Sequence, residues 1–420
     1  MSKFQAPKGV SEYFPPNSEQ FEFVRDHLIN SAKLAGYSLI ELPVFEDTEV
    51  FTRGVGESTD VVSKEMYTFE DRGGRSLTLR PEGTAGVMRA VIEHNLDRGQ
   101  LPVKLFYSGA FFRAERPQAG RYRQFYQVGI EAIGYNDPEI DVEVIAVADS
   151  AFKALGLKQY KLNITSLGDS KSRDSHRTEL VKYISSLKLD EETTARAKLN
   201  PLRLFDDKRE EIKQAMSKAP LLLDYLSNES KANFEEVKNI LAELGIAYTI
   251  NPRMVRGLDY YTGTTFEFDH PLLGAQSGIG GGGRYDGLMN SLGGSDVSGI
   301  GFGLGVDRIL MAALAEDCLP KEINQIKLFI VPITEKGKRA AFNLLSELRS
   351  NGINCDMAYG DRGLKGGMKA ADKSGALYGL VIGDDEIASG KCELKLMSSG
   401  EVLSSTLNAS ELIKRIGSSN

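Results

Sequence analysis

Apolar residues return every three or four positions near the start of the chain, at Phe21, Val24, Leu28 and Ala32, and this spacing predicts a helix over 18–35. Asn17 or Ser18 is placed to cap it and Gly36 to end it. SLIELPVFE (38–46) and SLTLR (76–80) then read as extended, and PEGTAGVMRAVIEHNL (81–96) returns to helical spacing behind Pro81. In VKLFYSGAFFRAERPQAGRYRQFYQVGIEAIG (103–134) two strand-like runs flank the polar segment AERPQAG, which predicts an antiparallel hairpin with a long tip. Alternation along its second strand sets Arg121, Arg123, Phe125, Gln127, Gly129 and Glu131 on one face and Val128, Ile130 and Ala132 on the other. One face suits chemistry and the other a core.

Asp137-Pro138 opens a long helix that stops at Gly156. Residues 169–244 carry Lys, Glu, Asp and Leu in helical patterns with no strand signal, so they read as a helical insertion. Strand patterns resume at AYTINPRMV, continue through RGLDYYTGTTFEF (256–268) and GIGGGGRYDGL (278–288), and SGIGFGLGVDRIL (298–310) runs into a helix. From about residue 326, strands KLFIVPI, INCDMAY and ALYGLVIG alternate with helices over 335–350 and 364–374, the pattern of a small α/β domain. A length of 420 residues favours about two to four domains.

Composition narrows the classes. With 41% hydrophobic and 26% charged residues the chain is an ordinary globular one, and no apolar run is long enough to cross a membrane. Its start, MSKFQAPKGVSEYFPP, lacks the features of a secretory signal, so a cytoplasmic protein is expected. Cys318, Cys355 and Cys392 are too scattered for a disulfide framework or a zinc site and are expected to be buried thiols; the four histidines show no metal-ligand spacing. A net charge of −7 argues against nucleic-acid binding by bulk electrostatics but leaves room for local basic patches.

Arginine dominates the candidate chemistry. Arg113, Arg116, Arg121, Arg123, Arg256, Arg284 and Arg308 lie among glycine, aromatic and strand-like neighbours, and a guanidinium fork matches phosphate or carboxylate oxygens. The run from Gly278 to Gly283 fits G-x-G-x-x-G but lacks a βαβ setting, and no P-loop motif occurs, so glycine here points to close approach of a backbone or ligand. Glu82, Glu115 and Glu131 serve equally as general base, metal ligand or fixed acceptor, and spacing does not choose among these.

These segments carry a resemblance that covers nearly the whole chain. FRAERPQAGRYRQFYQVGIE is similar to motif 2 of class II aminoacyl-tRNA synthetases and GIGFGLGVDRIL to their motif 3. LRPEGT (79–84), RGLDYYTGTTFEF, GGGRYDGL and the motif 1-like PVFEDTEVFTRGVGESTDVVSKEMYTF resemble the histidyl-tRNA synthetase family, and the region around AADKSGA (370–376) resembles its anticodon-binding domain. The resemblance implies an α+β catalytic domain over 1–325, an antiparallel sheet flanked by helices and bearing the helical insertion. It also implies an anticodon-binding α/β domain over 326–420, and a homodimer formed through the motif 1 face.

The implied reaction joins L-histidine to tRNA(His) through a histidyl-adenylate, with ATP as substrate and Mg²⁺ beside its phosphates. In that scheme Arg113 and Arg256 hold the α-phosphate from opposite sides, Phe125 and Arg308 enclose the adenine, Arg121 meets the terminal phosphates and Glu115 belongs to the ATP site. Glu82, Thr84 and Gln127 grip the amino-acid backbone, Glu131 and Tyr261 engage the imidazole, and Tyr260 and Tyr285 line the same pocket. The tip residues Arg116 and Gln118 reach the acceptor end of the tRNA, and the insertion lies along the acceptor arm. Lys365-Gly366-Gly367 departs from the family, and two helical glycines, each costing about 1 kcal/mol relative to alanine, lead one to expect a weak helix. The rival is the regulatory subunit of ATP phosphoribosyltransferase, a paralogue that binds histidine as a signal; it is expected to lose part of the arginine set and usually the anticodon domain, and both are present here.

Overall fold

The computed structural model describes residues 4–56, 59–207, 209–320, 323, 325–360 and 362–417, so Glu57 and Ser58 of the motif 1-like stretch, and Met1 to Lys3 of the start, lie outside the described residues. The chain divides into two compact units, Met1–Leu319 and Pro320–Asn420.

An eight-stranded sheet organises the first unit. Its spatial order is Ser38–Leu39, Val103–Phe112, Gln124–Ile133, Gly299–Gly305, Gly278–Arg284, Thr262–Asp269, Lys161–Ser166 and Thr249–Ile250. The six inner strands pair antiparallel and the two short edge strands pair parallel. Period-2 alternation makes the two faces chemically different. Ile300, Phe302 and Leu304 join Val128, Ile130 and Ala132 in a core shared with helices Asn17–Leu34, Pro138–Ala154 and Val306–Ala315. The intervening Gly299, Gly301, Gly303 and Gly305 turn a nearly bare backbone to the other face. There, helix Thr84–Glu93 covers only part of the sheet, packing Val87, Met88 and Val91 with Tyr107, Phe111 and Tyr285.

Several local expectations change. The first helix begins at Asn17 with no side-chain cap, because Pro16 occupies the capping position. The extended stretch 38–46 is interrupted and supplies only Ser38–Leu39 and Phe45–Asp47. The helix expected behind Pro81 begins at Thr84, because the Glu82 carboxylate accepts from the amides of Thr84 and Ala85 (both 2.9 Å) and organises the entry from outside the helix. Arg121 and Arg123 precede the strand, which starts at Gln124. AYTINPRMV contributes two strand residues, after which the chain turns away. Residues 170–243 are helical wherever they are regular, from Ser170–Ser185 to Asn228–Glu243.

The second unit holds a five-stranded sheet. Cys355–Met357, Leu328–Pro332 and Tyr378–Ile382 are parallel, and Lys391–Leu396 and Val402–Thr406 add an antiparallel hairpin beyond the three strands legible in the sequence. Cys355 and Cys392 are buried, whereas Cys318 of the first unit, contrary to expectation, is partly exposed. The Lys365-Gly366-Gly367 segment sits in helix Leu364–Lys373, and its two glycines differ. A Cβ on Gly367 would fall on Cγ1 of the fully buried Val331, so this glycine lets the helix approach the sheet. A Cβ on Gly366 would meet only the Cβ of Arg362, at 3.7 Å. Gly366→Ala is therefore expected to stabilise the protein by up to about 1 kcal/mol, and Gly367→Ala to destabilise it by about 1–3 kcal/mol through overpacking. Opposite shifts of the thermal unfolding midpoint in the two full-length variants would confirm this, and shifts of the same sign would refute it.

Candidate active site

The bare face of the sheet carries an arginine-lined cavity and, farther along the same strands, a buried cluster of carboxylates and hydroxyls. The first is a cavity of about 280 Å³ whose walls include Arg113, Arg121, Arg256 and Arg308 together with Glu115, Phe125, Gln127 and Glu267. Its floor is the glycine strands: Gly278, Gly280, Gly281, Gly303 and Gly305 all line it.

Each arginine reaches it from a different segment. Arg113 follows strand Val103–Phe112, donates from Nε to the Pro81 carbonyl (3.0 Å) and lies 5.3 Å from the Phe125 ring centre. Arg308, in the first turn of Val306–Ala315, is fixed by the carbonyls of Gly120 (2.6 Å) and Gly278 (2.8 Å). Burial lowers its pKa, and the like charges of Arg121 and Arg113 lower it further. Arg256 stacks on Tyr261, 5.4 Å from the ring centre, and pairs with Glu267 at 3.5 Å. Burial opposes its charge, yet Tyr261 and Glu267 more than offset this and raise its pKa. Its Nε is buried without a partner, a donor that an incoming anion could satisfy. Arg121 is held by an ion pair with Glu115.

The second part of the site, a carboxylate pocket, is a buried cluster built on Glu131 and Glu82. Thr84 Oγ1 donates to Glu131 at 2.7 Å and the Tyr285 hydroxyl donates to its other oxygen at 2.6 Å. Glu131 is fully buried, and burial raises its pKa to about 8 even though both hydroxyls pull it down. Glu82, also buried, accepts from the Tyr260 hydroxyl at 3.2 Å and has a raised pKa from desolvation. Tyr260 packs edge-on against Tyr285 and beside Tyr261, with centroids 6.0 and 4.7 Å away. Gln127 stands opposite Gly305 in the strand register, two residues along from Gly129 and four from Glu131, so one strand links the carboxylate pocket to the arginine cavity.

Not every expected residue joins. Arg284 is buried beneath the sheet in an ion pair with Asp141, backed by the Tyr135 carbonyl at 3.0 Å, so its task is structural. Arg123 turns to the carbonyls of Glu115 (3.1 Å) and Lys8 (3.4 Å). Arg116 and Gln118 are exposed on the hairpin tip. Two residues passed over in the sequence belong to the site. Glu267 pairs with Arg256, and alternation in TTFEF already set it opposite Phe266 and Phe268. Tyr107 sits opposite Gly129 in the register, and a Cβ on Gly129 or Gly83 would collide with its ring, so two distant glycines make room for one phenol.

A family model described as "Histidyl-tRNA synthetase" matches residues 9–309, and one described as "Anticodon binding domain" matches 327–418. The chain is 59% identical over 416 residues to the histidine–tRNA ligase of Rhodococcus opacus, covering 99% of this chain and 98% of the relative. It is 61% identical over 400 residues to that of Nocardia farcinica, covering 95% of each. The crystal structure of apo histidyl-tRNA synthetase from S. aureus superposes with a TM-score of 0.82 at 38% identity, covering 98% of this chain and 99% of the other.

Proposed function

This chain belongs to the histidyl-tRNA synthetase family, and we propose that its arginine cavity and carboxylate pocket divide the ligation of histidine to tRNA(His) between ATP and the amino acid. The observation that supports this most is the convergence of four guanidinium groups from separate segments on one cavity, where they outnumber the carboxylates. Such an excess of fixed positive charge suits a bound polyphosphate.

In this reading Arg113 and Arg256 hold the α-phosphate of ATP from opposite sides. Attack by the histidine carboxylate places negative charge on that group, and charges already in position stabilise it without reorganising. Phe125 and Arg308 enclose the adenine, and Arg121, steadied by Glu115, meets the terminal phosphates. Glu82, Thr84 and Gln127 bind the ammonium and carboxylate of histidine. Glu131 and Tyr261 read the two ring nitrogens, with Tyr285 and Tyr260 fixing the carboxylates between them. A side chain without such nitrogens would leave these buried groups unpaired.

Among the described residues no three His, Cys, Asp or Glu group as a metal site, and the cavity's three carboxylates are already engaged: Glu115 and Glu267 each pair with an arginine, and Asp307 accepts from the Tyr13 hydroxyl and the Tyr126 amide. That fits Mg²⁺ held mainly by phosphate oxygens and water, where it would neutralise charge on the leaving pyrophosphate. Arg116 and Gln118 would meet the acceptor end of the tRNA, the insertion its acceptor arm, and the second unit its anticodon. A homodimer is supported by Phe45 and Phe69, which stand 50% and 43% exposed and 6.1 Å apart in the motif 1-like region. Three free cysteines suit the reducing cytoplasm.

Histidine-dependent exchange of pyrophosphate into ATP tests the reading. Exchange is expected with histidine and not with other amino acids; histidine binding without exchange would favour the regulatory-subunit alternative.

A further inference from the structure

The segment bearing Arg256 has no regular structure of its own between residues 256 and 261, so its geometry is set by what grips it. The catalytic body holds it at the Asp259 amide, which donates to the Val55 carbonyl at 3.2 Å, at the Tyr260 hydroxyl, which donates to Glu82 at 3.2 Å, and at the Arg256 side chain, which pairs with Glu267. Three side chains of the helical insertion grip it as well. Arg203 Nη2 donates to the Gly257 carbonyl at 2.9 Å and lies 3.6 Å from the Asp259 carboxylate. Asn200 Nδ2 donates to that carboxylate at 3.2 Å, and Arg173 Nη1 donates to the Tyr261 carbonyl at 3.0 Å.

Asn200 and Arg203 act from one rigid turn. Asn200 caps the 3₁₀ segment Pro201–Leu204 by accepting from the Leu202 amide at 3.1 Å, and Pro201 sets the first dihedral. Asn200 at the head of the turn and Arg203 within it both reach the Asp259 carboxylate, so the two side chains address the same stretch of loop. Arg203 is largely shielded, its side chain 18% exposed, and it bonds the residue directly after Arg256.

We infer that Arg203, aligned with Asn200, is a positioning residue through which the helical insertion sets the place of Arg256 over the glycine floor. The inference rests on the role given above to Arg256. A displacement of about 1 Å at a catalytic group can cost about 10² in rate, and a group needed in the transition state alone lowers kcat without weakening substrate binding.

The test uses the full chain in pyrophosphate exchange with four variants: Arg203→Ala, Arg203→Lys, Arg256→Ala and the Arg203→Ala/Arg256→Ala double. Arg203→Ala is expected to lower kcat by about tenfold to a hundredfold while KM for histidine and the thermal midpoint stay close to the parent's. Arg203→Lys, which keeps one donor for the Gly257 carbonyl, is expected to recover most of the loss. The double variant is expected to be no slower than Arg256→Ala, because there is then nothing left to position. Parent-like kcat in Arg203→Ala, additive losses in the double variant, or a kcat loss matched by a fall in melting temperature would overturn the inference. Arg256→Ala separates the two levels. If that variant keeps full exchange, the role of Arg256 itself fails; if it is inert while Arg203→Ala is normal, only the positioning role fails.

Discussion

Arg256→Ala is expected to slow adenylate formation by about 10² to 10³ while leaving histidine affinity nearly unchanged. The size follows from where the guanidinium sits. It is largely shielded above Gly281, flanked by Tyr261 and Glu267, and it keeps its charge in spite of desolvation. A fixed charge in such surroundings acts on developing negative charge with little screening. Histidine affinity should largely survive because Glu131 is held by Thr84 and Tyr285, and Arg256 meets the imidazole pocket only through the face of the Tyr261 ring. Pyrophosphate exchange gives the rate, and equilibrium titration with histidine gives the affinity. A variant that exchanged at the parent's rate would remove Arg256 from the chemistry.

Histidine affinity is expected to be flat between about pH 6.5 and pH 8 and to fall about tenfold per pH unit on either side. Burial raises the Glu131 carboxyl to about 8, and free imidazole titrates near about 6.5, so within that window the separated partners carry one proton between them. The complex also holds one proton between carboxylate and ring, so binding there neither takes up nor releases any. Below the window both partners are protonated and one proton must leave. Above it neither is, and one must be taken up. Glu131→Gln removes the titrating group and should abolish the alkaline limb. Glu131→Ala should weaken histidine by about 10² or more, because a buried imidazole nitrogen then lacks its hydrogen-bond partner. Calorimetric titration across the range decides this; an alkaline limb that persists in Glu131→Gln would assign it to another group.

What the sequence made legible is what depends on near neighbours. Val128, Ile130 and Ala132 face the core, and Phe125, Gln127, Gly129 and Glu131 face the site, as alternation requires. The 335–350 helix appears with Thr334 capping it, and the 138–154 helix with proline in its first turn. What it hid depends on distant partners. Arg284 has the same kind of neighbours as Arg256, but its charge is met by Asp141, 143 positions away. Tyr107 looks like a packing residue until Gly83 and Gly129 are seen to yield it their space. The expected strand near residue 250 is cut short where the chain turns away, and Arg256 then lies in an irregular segment that local propensity does not foresee.

The glycine floor bears on how this enzyme can escape poisoning. At Gly281 an added methyl group would strike the Phe266 carbonyl and press on Arg256 itself. An inhibitor lying flat over Gly281 would touch atoms that every amino acid shares, so a substitution there would strike the fold before it spoiled the fit, whereas at Gly305 an added methyl group would meet nothing closer than 3.7 Å. Resistance would have to arise around the rim or at the Gly305 end of the floor.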